Sequence, residues 1–147
     1  MAEFSIEIAG VAMATPLIAA AGTVGYGPEL AEVADVTRFG ALTTKSITVE
    51  ERTGNPPWRV AELPGGMLNA IGLANVGLEV FVASVVPELG AVGTVVIGSI
   101  AGHSAEEYVE VAQAFDGIAA LPLVELNVSC PNTDTGRQFG DDPDVLG

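Results

Sequence analysis

Four short apolar runs decide most of what this chain can fold into. Residues 16–22, 40–47, 94–100 and 121–126 are rich in small and β-branched side chains and are bounded by glycine, proline or polar residues. Runs of this length and content read as strands buried on both faces. Between them lie segments of helical period. Pro28 is placed for the first turn of a helix over 28–34. Leu78, Phe81, Val82, Val85 and Leu89 share one helical face, with Pro87 expected to kink or end it. Ser104 and Glu107 form a capping-box pair before a helix whose core face is Tyr108, Val111, Ala112 and Phe115, with Glu106, Glu107 and Glu110 left in solvent. Strand and helix alternate, the pattern of right-handed βαβ units on a parallel sheet. A short amphipathic hairpin, with strands at 4–8 and 11–13, comes first. The fold class is therefore α/β. Four such units make half of an eight-stranded (β/α)8 barrel, which typically needs about 250 residues.

Composition narrows the function classes. A hydrophobic content of 49% supports a packed core, and one domain is the default over 147 residues. The apolar runs are too short to span a bilayer. A net charge of −14 argues against nucleic acid or an anionic membrane as partner. A single cysteine permits neither an internal disulfide nor a cysteine metal cluster. The first residues lack the basic region of a signal peptide, so a cytoplasmic location is expected.

The candidate chemistry gathers where strands end. Leu126-Asn127-Val128-Ser129-Cys130-Pro131-Asn132 follows the fourth run and holds the lone cysteine, two side-chain amides and a chain-breaking proline. In α/β proteins, side chains at the C-terminal ends of parallel strands carry the reaction. A thiol there is either an acid–base group or a small buried hydrophobe. Lys45 closes the second run in a chain with five Lys and Arg, and it meets either a ligand anion or the nearby Glu50 or Glu51. The small residues ending the first run, Ala19-Ala20-Ala21-Gly22, allow a flat ligand close to the backbone, or tight packing of strand and helix. Residues 48–76 show no sustained period, and Gly54-Asn55-Pro56-Pro57 and Pro64-Gly65-Gly66 are expected to break any element there. This long loop carries Met67-Leu68-Asn69-Ala70-Ile71-Gly72-Leu73-Ala74-Asn75, amides set among apolar residues that suit a flat, polar ligand. His103, with no second metal-ligand type beside it, reads as a surface or capping residue.

Lys45-Ser46-Ile47-Thr48, Arg52-Thr53-Gly54-Asn55-Pro56-Pro57, Gly66-Met67-Leu68-Asn69-Ala70-Ile71-Gly72-Leu73 and Asn127-Val128-Ser129-Cys130-Pro131-Asn132 together resemble dihydroorotate dehydrogenase, in that family's order and spacing. The resemblance implies a flavin-dependent TIM barrel that oxidises dihydroorotate to orotate in pyrimidine synthesis, with residues 1–147 as its N-terminal half. Cysteine as the base resembles class 1, and the Gly-Met-Leu-Asn-Ala-Ile-Gly-Leu form is most similar to class 1B. That branch pairs with an electron-transfer subunit holding FAD and a 2Fe-2S cluster and passes electrons to NAD; a homodimer is also implied.

By the same resemblance, Cys130 takes the proton from C5 of dihydroorotate while the C6 hydride passes to FMN. Lys45 lies between flavin and substrate. Asn69, Ala70, Ile71, Gly72, Leu73, Asn127 and Asn132 hold the substrate. Ala20, Ala21, Lys45, Ser46, Ser99 and Asn127 touch the flavin, and no metal is expected. Two positions depart from the pattern: Ala21 stands where serine is usual, and Ser99 where class 1B has asparagine. The competing expectations are a non-catalytic half-barrel fragment and the pyrimidine-reducing domain of a dihydropyrimidine dehydrogenase. A tRNA-binding flavin reductase fits less well, for want of a basic surface.

Overall fold

The computed structural model describes residues 4–129 and Gly140. The chain opens with a hairpin of β1 (Ile6–Ile8) and β2 (Val11–Met13), paired antiparallel across the tight Ala9-Gly10 turn. Four parallel strands follow: β3 (Ile18–Ala19), β4 (Ala41–Thr43), β7 (Val95–Ile100) and β8 (Leu123–Leu126). They lie in the sheet in the order β3-β4-β7-β8, each beside its predecessor in that series, as a winding barrel requires.

The two sheet faces do different work. Leu42, Val96, Ile47 and Ile100 point to the helical layer, where they join Phe81, Leu89, Val111 and Phe115 in the main core. Burying each such side chain contributes roughly 1.5–3 kcal/mol. Phe81 and Phe115 stack with ring centroids 5.3 Å apart. On the opposite face, Ala41 and Ile97 pack with Met13 of the hairpin and with Ile6, Val95 and Leu123. The β1-β2 hairpin thus covers the N-terminal end of that second face. At the sheet's far edge, Val124 and Leu126 are 40% and 57% exposed.

Helix α4 (Ala105–Asp116) is capped as expected: Ser104 Oγ accepts from the Glu107 N–H at 3.4 Å, and the Glu107 carboxylate accepts from the His103 N–H at 2.7 Å. The helix at Pro28 is shorter than its pattern suggests. α1 spans Pro28–Ala31, and one further helical bond, Ala34 N–H to Leu30 O, closes the turn. The helix before Pro87 is not simply kinked. α2 (Gly77–Val80) and α3 (Val86–Leu89) are joined by a π turn over Phe81–Val85. Pro87 cannot donate to the carbonyl four residues back, and its ring needs room there. The widened turn supplies that room, with the Val86 N–H reaching the Phe81 carbonyl five residues back.

Residues 48–76 depart most from expectation. They contain a regular hairpin, β5 (Val60–Leu63) and β6 (Gly66–Asn69), paired antiparallel from Val60↔Asn69 to Leu63↔Gly66. Pro64 and Gly65, expected to break structure, form its two-residue turn instead. Pro64 fixes the first corner and Gly65, at φ 82°, takes the second. All eight strand residues are exposed, so no buried face imposes an alternation on the sequence.

Candidate functional site

The site grows from a misalignment between β4 and β7. Thr43 pairs with Ile97, yet Ile47 bridges Ile100, so the first strand spends one residue more than the second over the same stretch. This is a β-bulge, which leaves a residue unpaired and re-aims its neighbours. The ladder resumes on either side of it: Thr44 N–H donates to Ile97 O and Ile47 N–H to Ser99 O, both at 2.9 Å. Between them, Lys45 N–H turns out of the sheet to Gly25 O at 2.8 Å. The run read as one continuous strand is therefore a three-residue strand, a bulge and an isolated bridge.

The bulge sends two side chains in different directions. Lys45 reaches across to the turn after β3, where its Nζ lies 3.6 Å from the position a Cβ on Gly22 would occupy. Among the described residues its ammonium has no hydrogen bond or ion pair, so the expected alternative of a bridge to Glu50 or Glu51 is not formed. Ser46 is buried, and its Oγ lies 2.9 Å from Ser99 Oγ. Asn127 Nδ2 donates to the same Ser46 Oγ at 2.9 Å. Ser99 in turn reaches Glu125 Oε1 at 3.3 Å, while its N–H donates to Thr44 Oγ1 at 3.0 Å. A polar row thus crosses the C-terminal ends of β4, β7 and β8.

Asn127 is held at both ends. Its N–H extends the parallel ladder to Ile100 O at 2.9 Å, and its carbonyl accepts from the Tyr108 hydroxyl at 2.7 Å. Tyr108 does more than fill the core face of α4, as its spacing alone suggests. Of the first-strand residues, only Ala19 is buried; Ala20 is exposed and Ala21 half-buried, in the turn beyond β3. The Ala20 carbonyl accepts from both the N–H and the hydroxyl of Thr23, at 3.2 and 2.7 Å.

Asn69, Ala70, Ile71, Gly72 and Leu73 lie on the return limb of the long excursion and are fastened from behind. Asn55 donates from Nδ2 to Ala70 O at 2.8 Å and from its backbone to Ile71 O at 3.0 Å. Asn75 Nδ2 donates to Leu73 O at 2.8 Å, while Asn75 Oδ1 accepts from the Gly77 N–H at 2.9 Å. The side-chain amide of Asn69 makes no hydrogen bond among the described residues. Thr48 and Asn75 clasp the two ends of the excursion together, and the Val76 N–H to the Tyr26 hydroxyl at 3.1 Å and Arg52 Nη1 with His103 Nε2 tie it to the elements around it. His103, expected at the surface or in a cap, takes part in the cap of α4 through its N–H to Glu107, while its ring is half-buried against Arg52.

The structure therefore brings together Ser46, Ser99 and Asn127, and sets Lys45 over Gly22. No described hydrogen bond links residues 69–73 to either group. Cys130 and Asn132 lie outside the described residues. Sequence reasoning gave no hydrogen-bonding role to Glu125, Tyr108, Asn55 or Arg52, although the last two stand in the motif at 52–57. Their partners are 15 to 51 positions away, beyond any local spacing rule.

Comparison with known proteins agrees with this architecture. Against a relative from Geobacter sulfurreducens named dihydroorotate dehydrogenase B (NAD(+)), catalytic subunit, identity is 45% over 142 residues, covering 96% of this chain and 47% of that protein. A relative of the same name from Geobacter sp. (strain M21) is 44% identical over 142 residues, with the same coverage. One from Aquifex aeolicus, 43% identical over 99% of the chain, carries a provisional name for the fumarate-using A type. The chain spans about half the length of these curated relatives, 47 to 48%. A crystal structure of DHODH from Eimeria tenella in complex with ferulenol superposes with a TM-score of 0.72 over 98% of this chain and 41% of that one, at 24% identity. The fold is that of the (β/α)8 barrel, present here as its first strands and helices. The family model for dihydroorotate dehydrogenase matches residues 3–146, almost end to end, so no segment is left to assign elsewhere: this chain belongs to the dihydroorotate dehydrogenase family.

Proposed function

We propose that the chain forms the N-terminal half of an FMN-dependent dihydroorotate dehydrogenase, acting in pyrimidine biosynthesis in the cytoplasm. The observation that carries this reading is the Lys45 ammonium, unpaired among the described residues and set over the small-residue turn at 20–22 at the same sheet end as the Ser46-Ser99-Asn127 row. A flat, polar, anionic ring system fits that donor set. The turn has no bulky side chain to obstruct it, Lys45 supplies the charge, and the row supplies directional hydrogen bonds. Ala20, Ala21, Lys45, Ser46, Ser99 and Asn127 would hold FMN. When bound, it supplies the hydride acceptor.

The chain's own residues do the rest. Asn69, Ala70, Ile71, Gly72, Leu73, Asn127 and Asn132 orient dihydroorotate, and the amide of Asn69, unbonded among the described residues, is available for this. Cys130 takes the proton from C5; a thiol with a pKa near about 8.5 needs a closed, occupied site to act as a base. The names of the Geobacter relatives, B (NAD(+)) and catalytic subunit, support the B type with NAD as acceptor and a further subunit. In this reading that subunit carries FAD and a 2Fe-2S cluster, and the catalytic chain forms a homodimer. Among the described residues no helix is long and apolar enough to cross a membrane.

The test is a flavin titration of the chain, alone and mixed with the C-terminal half of a Geobacter relative. Expected is a protein-held flavin spectrum that dihydroorotate bleaches, and that stays unbleached in Cys130→Ser. No flavin uptake in either sample would overturn the reading in favour of a non-catalytic half-barrel. Bleaching by dihydrouracil instead of dihydroorotate would favour the dihydropyrimidine dehydrogenase alternative.

A further inference from the structure

The polar row has a direction that the Ser46–Ser99 contact does not itself determine, since either hydroxyl could donate. We infer that Glu125 is a positioning residue: its carboxylate orients the whole row as Asn127 → Ser46 → Ser99 → Glu125. An ionised carboxylate only accepts, and each serine hydroxyl has one proton to give. Ser99 therefore gives its proton to Glu125 Oε1, at 3.3 Å. It must then accept from Ser46, at 2.9 Å, and Ser46, its proton spent, must accept from Asn127 Nδ2, at 2.9 Å. The reverse order would aim a Ser99 lone pair at the carboxylate. It would also turn Asn127 Oδ1 toward Ser46. Glu125 thus fixes the amide orientation of Asn127, two residues further along, acting through Ser99 on β7 and Ser46 in the bulge beyond β4.

The sheet explains why Glu125 can do this. Ser99 pairs directly with Glu125 in the β7-β8 ladder, so the two side chains leave the same face side by side. The consequence for recognition rests on the flavin site proposed above. Ser46 has no proton left for a ligand, so it meets one only as an acceptor, and a ring N–H rather than a ring carbonyl belongs beside it. Asn127 keeps Oδ1 and one N–H on the open side, where Oδ1 also accepts from Ser129 Oγ at 3.3 Å.

The direction of the row can be read without any flavin, from the Asn127 side-chain amide resonances of the 15N-labelled chain. Glu125→Met removes the terminal acceptor, and Glu125→Gln, the variant closer in shape, removes the charge alone. Both are expected to shift the Asn127 amide signals. Proton exchange there should accelerate roughly fivefold for Met, the equivalent of one modest hydrogen bond, and less for Gln. Made on a Ser99→Ala background, where the row is already cut, neither substitution should move Asn127 further. If Asn127 is unmoved with Ser99 present, or moves equally with Ser99 absent, the relay is wrong. FMN titrated into the same samples tests the site separately. Failure to bind flavin alongside an intact Asn127 response would sink the proposed function and leave the relay standing.

Discussion

The hydroxyl of Tyr108, on α4, donates to the backbone carbonyl of Asn127 at 2.7 Å, tying the helical layer to the residue that leads into the site. This carbonyl follows the last rung of β8 and has no further strand bond to satisfy it among the described residues. Tyr108→Phe keeps the ring and removes the donor. The expected cost is about 1 kcal/mol in urea denaturation, with weaker flavin retention because Asn127 loses one of its two backbone anchors. Unchanged stability and flavin affinity would show that water replaces the hydroxyl at no cost.

Lys45 should behave in the opposite way. Its ammonium has no partner among the described residues, so Lys45→Met is expected to leave folding stability within about 0.5 kcal/mol. Affinity for FMN should fall about tenfold or more, the worth of a charge-assisted hydrogen bond. Paired denaturation and flavin titration separate the two effects. A stability loss comparable to that of Tyr108→Phe would point to a structural lysine.

Gly98 stands in the middle of β7, where a Cβ would come within 2.6 Å of the Phe115 ring. That ring is fully buried and stacked on Phe81, so it has little room to retreat. Gly98→Ala should cost about 1–3 kcal/mol through overpacking. Phe115→Leu on the same background should recover part of that loss. Thermal denaturation of the single and double variants measures both.

Tyr26 gives the chain an alkaline limit. Burial is the main cause that holds its phenol above the ordinary 10.0; the Val76 N–H, donating to the phenol oxygen, pulls the other way, and the Glu29 charge adds to the rise. The folded chain therefore keeps this proton to higher pH than the unfolded chain does. The stability so gained is intact below the unfolded value and is lost as pH rises through the folded one. Urea midpoints between about pH 9 and about pH 11 should fall more steeply in the parent than in Tyr26→Phe. Parallel slopes would assign the alkaline limit to another group.

Strands β4 and β7 were legible because burial on both faces leaves a compositional mark: Val95–Ile100 is apolar but for Gly98 and Ser99. The runs that hold β3 and β8 carry the same mark, yet Ile18, Val124 and Leu126 are exposed. The capping of α4 was legible because its partners lie within four residues of one another. The β5-β6 hairpin was not, since exposed strands carry no alternation, and Pro64-Gly65 reads equally as a break or a turn. The pairing of Arg52 with His103 was invisible for a different reason. It joins two loops 51 positions apart, and neither residue type announces the other. Motif resemblance picked out Ser46 and Ser99, Asn127 stood out also as the amide that ends the fourth apolar run, and the structure joins the three by hydrogen bonds.

The surplus residue just beyond β4 separates two kinds of demand on the sequence. A rung of a parallel ladder must satisfy its neighbours in shape, pairing and propensity, which restricts what can stand there. Lys45 and Ser46 sit on the slack between two rungs, Thr43↔Ile97 and Ile47↔Ile100, and are excused from that duty. Chemistry there can be exchanged while the sheet stays in register. Deleting a single residue would draw the slack tight, set Lys45 or Ser46 into the weave, and leave a well-formed sheet without the donor set proposed here for a ligand.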